Sequence, residues 1–355
     1  MGNFELYHRW YAFLVQLSPD GCLSRVTNWA LLIMGLYQAR QVYASAIVRQ
    51  WSSRAKQTSL TRRLSRFLAN PAIRVREWYA PIAGQWLQAY AGQEVHVIVD
   101  GSKVGFEHQL LMVALAYRRR AIPLAWTWVP YKRGHSSSHR QLALLAYVRT
   151  LMPPKTKVVL VGDAEFGSID VLRQLTAWRW FYVLRQRGST HVKALGSRTW
   201  VDLATLVPHP SRQKVWWANT HLTEVWGYRT HVLAYWRTGE KEPWLLATNL
   251  LSAQTALHAY RRRMWIEEMF GDLKGHGVDL EATHLRHFLR LSRLTLAACL
   301  LYVWLIRFGV HTIKAGLRDW VDRHDRRDLS IFRIGWDMVA KKLALHLNLT
   351  VDLFT

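Results

Sequence analysis

Two cysteines in 355 residues, Cys22 and Cys299, exclude a disulfide framework, and no Cys or His pair falls at a zinc-site spacing. Acids are scarce: 24 Asp and Glu stand against 48 Lys and Arg, a formal net charge of +24. A field of that sign attracts polyanions, which leaves DNA, RNA or an anionic membrane as candidate partners. The opening MGNFELYHRWYAFL lacks the basic-then-apolar layout of a signal peptide. The longest apolar run, Leu294–Ile306, has 13 residues, where a bilayer span needs roughly 20. It reads as a buried core helix. Internal repeats and low-complexity segments are also lacking. The expectation is a cytoplasmic protein whose leading partner is nucleic acid.

What is present is enough apolar chain for a core, since 50% of the residues are hydrophobic and 12% aromatic. Residues 1–92 carry helix-like spacing in YHRWYAFLVQL, VTNWALLIMGLYQA and TRRLSRFLANP, so a helical domain is expected there. Within it, residues 49–76 hold eight basic side chains and no acid. Such a stretch suits a phosphate-backbone surface, with Arg54, Lys56, Arg62, Arg63 and Arg66 as its DNA-binding candidates. The plainer alternative is a solvated helix face.

From about residue 93 the period shortens. VHVIVD (95–100), LLMVALAYR (110–118) and AIPLAWTWV (121–129) read as an antiparallel meander. A helix over 137–152 follows, capped by Ser136 or Ser137 and stopped by Pro153. KVVLVGD (157–163), a helix over 168–179 and WFYVLRQR (180–187) complete the order β-β-β-α-β-α-β. That is the order of a ribonuclease-H-like α/β core. Residues 188–250 read as a β-rich insertion. One long helix is expected from about Ser252 to Lys274 with Gly275 as its C-cap, and further helices at about 286–314 and 330–347. The expected domains are 1–92, 93–310 and a C-terminal helical region 311–355.

Phosphoryl transfer on DNA needs charge neutralisation at the attacking and leaving oxygens, which two carboxylate-held metal ions supply. Asp100 closes the apolar run VHVIVD, and Asp163 closes VVLVGD. Each stands where a buried strand meets a glycine-containing turn, a place where an acid is unfavourable unless paired or metal-bound. A turn-capping role is the alternative for either one alone. In AYRRRMWIEEMFGDLKG, the residues Tyr260, Arg263, Glu267 and Lys274 have offsets of 0, 3, 7 and 14. At about 100° per residue they fall within roughly 60° of one another on a helix. Glu268 points about 100° away from Glu267, to a salt-bridge or outer position. Glu267 is thus the third ligand candidate, against the alternative of an ion-paired helix surface. His135 and His139 flank a serine-rich loop and read as loop or helix-start residues.

The spacing Tyr-x2-Arg-x3-Glu-x6-Lys around Glu267 resembles the YREK signature of the IS-four-type insertion-sequence transposases, and GHGVDLEATHL after it is similar to the stretch that follows in that family. The resemblance covers about residues 60–310. It implies a DDE transposase in which Asp100, Asp163 and Glu267 bind two Mg²⁺ or Mn²⁺ ions. It also implies a homodimer holding two double-stranded transposon ends and cut-and-paste transfer into target DNA, through a hairpin in several relatives. The setting would be the bacterial cytoplasm, on the nucleoid when bound. Tyr260, Arg263 and Lys274 would grip phosphates at the cleaved end. Two departures bear on the hairpin. The family's Trp after the signature Arg is Met264 here, with Trp265 one residue later, about 100° round a helix. Trp244 in PWLLATN matches a second family Trp but lies close to the last acid, and sheet core is its alternative reading. A domesticated, non-catalytic DNA-binding protein, a structure-specific nuclease and a basic RNA-binding protein are the competing functions.

Overall fold

The computed structural model describes residues 2–104, 107–130, 136–211 and 213–354. Five helices come first: α1 (Gly2–Leu17), α2 (Leu23–Ala39), α3 (Ala44–Arg49), α4 (Gln57–Ala69) and α5 (Val75–Gln88). Then β1 (Glu94–Val104), β2 (His108–Tyr117) and β3 (Arg120–Pro130) form the expected meander. The turn between β2 and β3 has only two residues, Arg118 and Arg119, both at positive φ (46° and 62°). That pattern is the tight hairpin turn whose twist matches its strands.

Helix α6 (Ser138–Leu151), β4 (Lys157–Gly162), α7 (Ile169–Ala177) and β5 (Phe181–Arg185) complete the core. Strands β4 and β5 run parallel to β1. The spatial order β3-β2-β1-β4-β5, three antiparallel strands and then two parallel ones, is a ribonuclease-H-like sheet. The chain continues through β6 (His191–Lys193), β7 (Val201–Asp202), β8 (Lys214–Leu222), β9 (Tyr228–Tyr235) and β10 (Trp244–Thr248). These inserted strands extend the same sheet instead of standing apart, because β10 pairs antiparallel with β5.

Two sequence expectations need correction. The helix of residues 252–274 is broken: α8 (Ala253–Tyr260) and α9 (Met264–Leu273) are separated by a 3-10 turn over Arg261–Arg263. It ends at Leu273 with Lys274 as C-cap, not Gly275, because Lys274 leaves the helical region at φ −99°, ψ −131°. The backbone then doubles back over the helix end, where the His276 N–H donates to the Gly271 carbonyl. The second correction concerns Asp100, which does not end its strand. Strand β1 keeps pairing with β2 as far as Val104, whereas its pairing with β4 stops at Val99. Asp100 therefore sits where β1 and β4 part.

Helices α10 (Phe288–Lys314) and α11 (Ile331–Ala344) close the fold. With 27 residues α10 is long and apolar enough to cross a membrane, yet most of its apolar window is buried inside the molecule. It packs against α2, α4, α5, α9, α11 and β3. The buried Arg293 on α10 donates to the carbonyls of Leu68 and Ile73 at 2.7 and 3.1 Å, satisfying backbone acceptors at the end of α4 and just beyond it. Trp10 of α1 meets Trp304 of α10 edge-on at 5.5 Å. The N-terminal helices thus share one apolar core with the sheet.

Candidate active site

Strand register brings the first two acids together. Val99 lies beside Gly162 in the parallel β1–β4 pair, so the next residues, Asp100 inside β1 and Asp163 just past β4, stand side by side where the two strands part, about 5 Å apart in backbone. A side chain at Gly101 would press on the Gln109 amide, which would have to move aside. Asp100 is buried, at 7% exposure, and its Oδ1 accepts from the Gly101 N–H at 2.8 Å. Burial pushes the Asp100 carboxyl up to about 7, against the pull of Arg263 and the Gly101 N–H. The neighbouring Asp163 and Glu267 push in the same direction as burial.

Helix α9 supplies the rest. The Arg263 guanidinium reaches Asp100 Oδ2 at 3.1 Å, Asp163 Oδ2 at 3.6 Å and Glu267 Oε1 at 2.5 Å. All three predicted acids therefore converge on one cation. Burial works against the charge on Arg263, but Asp100, Asp163, Tyr260 and Glu267 outweigh it and raise its pKa. Tyr260 is buried at the end of α8, which pushes its phenol up, and its ring meets Trp244 edge-on at 5.1 Å.

The remaining predicted residues are placed as follows. Lys274 is held apart from the acids, its Nζ donating to the Lys103 carbonyl at 2.9 Å and to Glu281 at 2.6 Å. Met264 is exposed, while Trp265 is half-buried with the Arg262 guanidinium 5.9 Å from its ring. Glu268 points to a different face of α9, where it pairs with Arg120 at 3.1 Å. Arg54 and Lys56, in the link between α3 and α4, and Arg62 and Arg66 on α4 are exposed. Arg63 is turned inward, its Nε donating to Asn28 at 2.8 Å. Arg25, Arg63 and Arg66 line a groove of about 480 Å³. His139 is exposed at the start of α6, and His135 lies outside the described residues.

The model of the transposase DDE domain family matches residues 91–304, more than half of the chain. The chain belongs to the DDE transposases. No curated protein matches it. Among solved structures it is similar to a piggyBac transposase synaptic complex with hairpin DNA, at 9% identity and a TM-score of 0.47, over 98% of this chain and 79% of that one. At that distance nothing about the reaction transfers.

Some residues of this transposase's site escaped the sequence reading. Arg185 ends β5 with Nη1 3.9 Å from Asp163 Oδ1, and Glu242 holds it at 2.7 Å. The sequence reading ran this strand to residue 187 and so placed Arg185 inside it, not at its end. Behind the acids, Glu165 accepts from the Ser136 N–H at 2.7 Å and from Gln109 at 2.9 Å. Gln109 carries the only polar side chain inside the run QLLMVALA, which was a usable signal.

The donor set fits a divalent ion of the family's kind. Three carboxylates are hard oxygen ligands of the sort Mg²⁺ and Mn²⁺ take. Asp163 Oδ1 is buried without a hydrogen-bond partner. Burial makes the Asp100 charge unfavourable, and a nearby cation offsets this. Among the described residues no trio of acids, imidazoles or thiols yet stands at ligating distance, and here the Arg263 guanidinium lies between the carboxylates.

Proposed function

We propose that this DDE transposase excises and integrates an insertion sequence of the IS-four type by metal-dependent hydrolysis and transesterification of DNA. The convergence of Asp100, Asp163 and Glu267 on a single guanidinium is the observation that carries the reading. The three acids would hold two Mg²⁺ ions, with Mn²⁺ able to substitute. When bound, such ions activate the attacking water or 3′-OH and stabilise the leaving oxygen.

The chain's own residues do the rest. Asp100 and Asp163 are fixed by strand backbone, so the ligand set is rigid on two sides. Glu267 approaches from α9 and closes the third. Tyr260, wedged by Trp244, and Arg263 present a phenol and a planar fork to the phosphates of the cleaved end. Lys274, now paired with Glu281, would have to exchange that partner for a phosphate to add its point charge, and Trp265 lies on α9 for a displaced base. Arg54, Lys56, Arg62, Arg63 and Arg66 of the helical 1–92 domain would track the duplex backbone. A homodimer would hold two ends in the bacterial cytoplasm. Each joining step exchanges one phosphodiester for another, so no external energy source is required.

The test uses a labelled duplex with the element's terminal sequence. Wild type with Mg²⁺ should release a 3′-OH at the end, and the product gel shows whether a hairpin follows. Asp100→Asn and Asp163→Asn should bind the duplex within about threefold of wild type, since phosphate contacts dominate affinity, and cut nothing. Binding without cutting in wild type would instead indicate a domesticated DNA-binding protein.

A further inference from the structure

Arg263 stands in the place its own site needs for metal. One of its terminal nitrogens faces Asp100 and Asp163 at 3.1 and 3.6 Å, and the other faces Glu267 at 2.5 Å. Its side chain is only 13% exposed, and its Nε is buried without a hydrogen-bond partner. The guanidinium donates to Asp100, Glu267 and the Met264 sulfur. It also springs from the 3-10 turn between α8 and α9, a break of the kind that often marks a hinge.

We propose that Arg263 is a resident cation that fills the carboxylate site in DNA-free protein and leaves it when a DNA phosphate arrives. This rests on the reading of Asp100, Asp163 and Glu267 as divalent-ion ligands. Arg263, with Arg185 at the edge of the site and shared with Glu242, leaves the three acids with an excess of negative charge. The site is therefore held together before loading, but a divalent ion must compete with a tethered positive charge. A phosphate offers the planar fork the same pair of oxygens as a carboxylate. Transfer of Arg263 from carboxylate to phosphate frees the ligands only where DNA is bound. The free protein is thereby kept from acting as an indiscriminate nuclease.

The test is Mn²⁺ titration of the full chain without DNA, read by the electron paramagnetic resonance signal of free Mn²⁺. Wild type should bind weakly. Arg263→Gln should bind at least about tenfold more tightly, the least expected when a full charge is removed within 4 Å. Asp163→Asn added to Arg263→Gln should abolish that gain. Duplex DNA should raise wild-type affinity toward that of Arg263→Gln, and no rise would overturn the displacement. Equal affinity in wild type and Arg263→Gln, lost in both on Asp163→Asn, would overturn the proposal and leave the metal site standing. Absence of any acid-dependent Mn²⁺ site in every variant would overturn both. If Arg263→Gln does not fold, Arg263→Lys serves: it reaches one carboxylate at a time and should bind Mn²⁺ more tightly than wild type. Equality there would also overturn the proposal.

Discussion

Two consecutive glutamates on α9 enter two clusters that share the same ingredients and differ in what they can do. Glu267 joins Arg263, Asp100 and Asp163, while Glu268 joins Arg120 and Asp272. The two arginine side chains are almost equally shielded, at 13% and 12% exposure, so shielding of the cation does not separate them. The acids do. Asp163 remains 34% exposed, and Asp272 only 5%. The first cluster has three carboxylates around Arg263, with Arg185 at its edge and shared with Glu242, and Asp163 gives it an open side through which Arg263 can be exchanged. The second has two carboxylates to one cation and lies near the fully buried Tyr302, whose phenol rises through burial and then the Asp272 charge. It can only hold the sheet to α9. A charged group in a site is informative when it can be replaced from solvent.

The largest separation between the clusters should come from removing an acid. Asp100→Asn, Asp163→Asn or Glu267→Gln should lower cleavage by well over about a hundredfold, which even outer-shell changes can reach in metal sites. The same changes should leave thermal unfolding within a few degrees of wild type. Near-normal cutting by any of them would remove that residue from the site. Arg120→Met should do the reverse. It leaves the Asp272 carboxyl buried and without its partner, and urea unfolding should show a loss of about 1–3 kcal/mol with cleavage per folded molecule retained.

A smaller effect is written in pH. Burial pushes the Asp272 carboxyl up to about 7, with Arg120 pulling it down and Glu268 pushing it up. The folded chain keeps this proton up to about pH 7, while the unfolded chain loses it near 4. The folded state therefore binds more protons in between, and stability falls as pH rises from 4 to 7, with the loss complete above 7. Wild type should lose on the order of a few kcal/mol against Asp272→Asn between pH 5 and pH 8. A pH-independent difference would show that Asp272 is ionised throughout. The smallest effect belongs to the half-exposed Glu268: Glu268→Gln should change stability by less than about 1 kcal/mol. A larger loss would make the second cluster an interlocked unit.

Much of this was legible in residue order, and the reasons are physical. Asp100 and Asp163 end β-branched runs, so their strand positions follow from local pattern. Glu267 and Glu268 separate by helical angle alone, and the 3-10 break spans too few residues to undo it. The adjacency of Asp100 and Asp163 is a different matter, because it depends on the β1–β4 register between segments some sixty residues apart. The same holds for β10, which closes onto β5 and makes one sheet of core and insertion. Lys274 was misplaced by extrapolating a helix that ends one residue earlier, so its predicted angle beside Glu267 has no meaning there. Arg293 gave no sign of burial, since its partners are backbone carbonyls that any sequence would supply. The reach of Arg263 to Asp100 spans 163 positions, and only folding shows it.

The most direct test of the central claim is excision from a plasmid carrying the element's own two ends, with Mg²⁺, by wild type and by Glu267→Gln. Excision by wild type alone, with both proteins binding the ends, is the predicted result. Excision by both would contradict the assignment of Glu267 as the third ligand, and excision by neither would contradict the transposase activity itself.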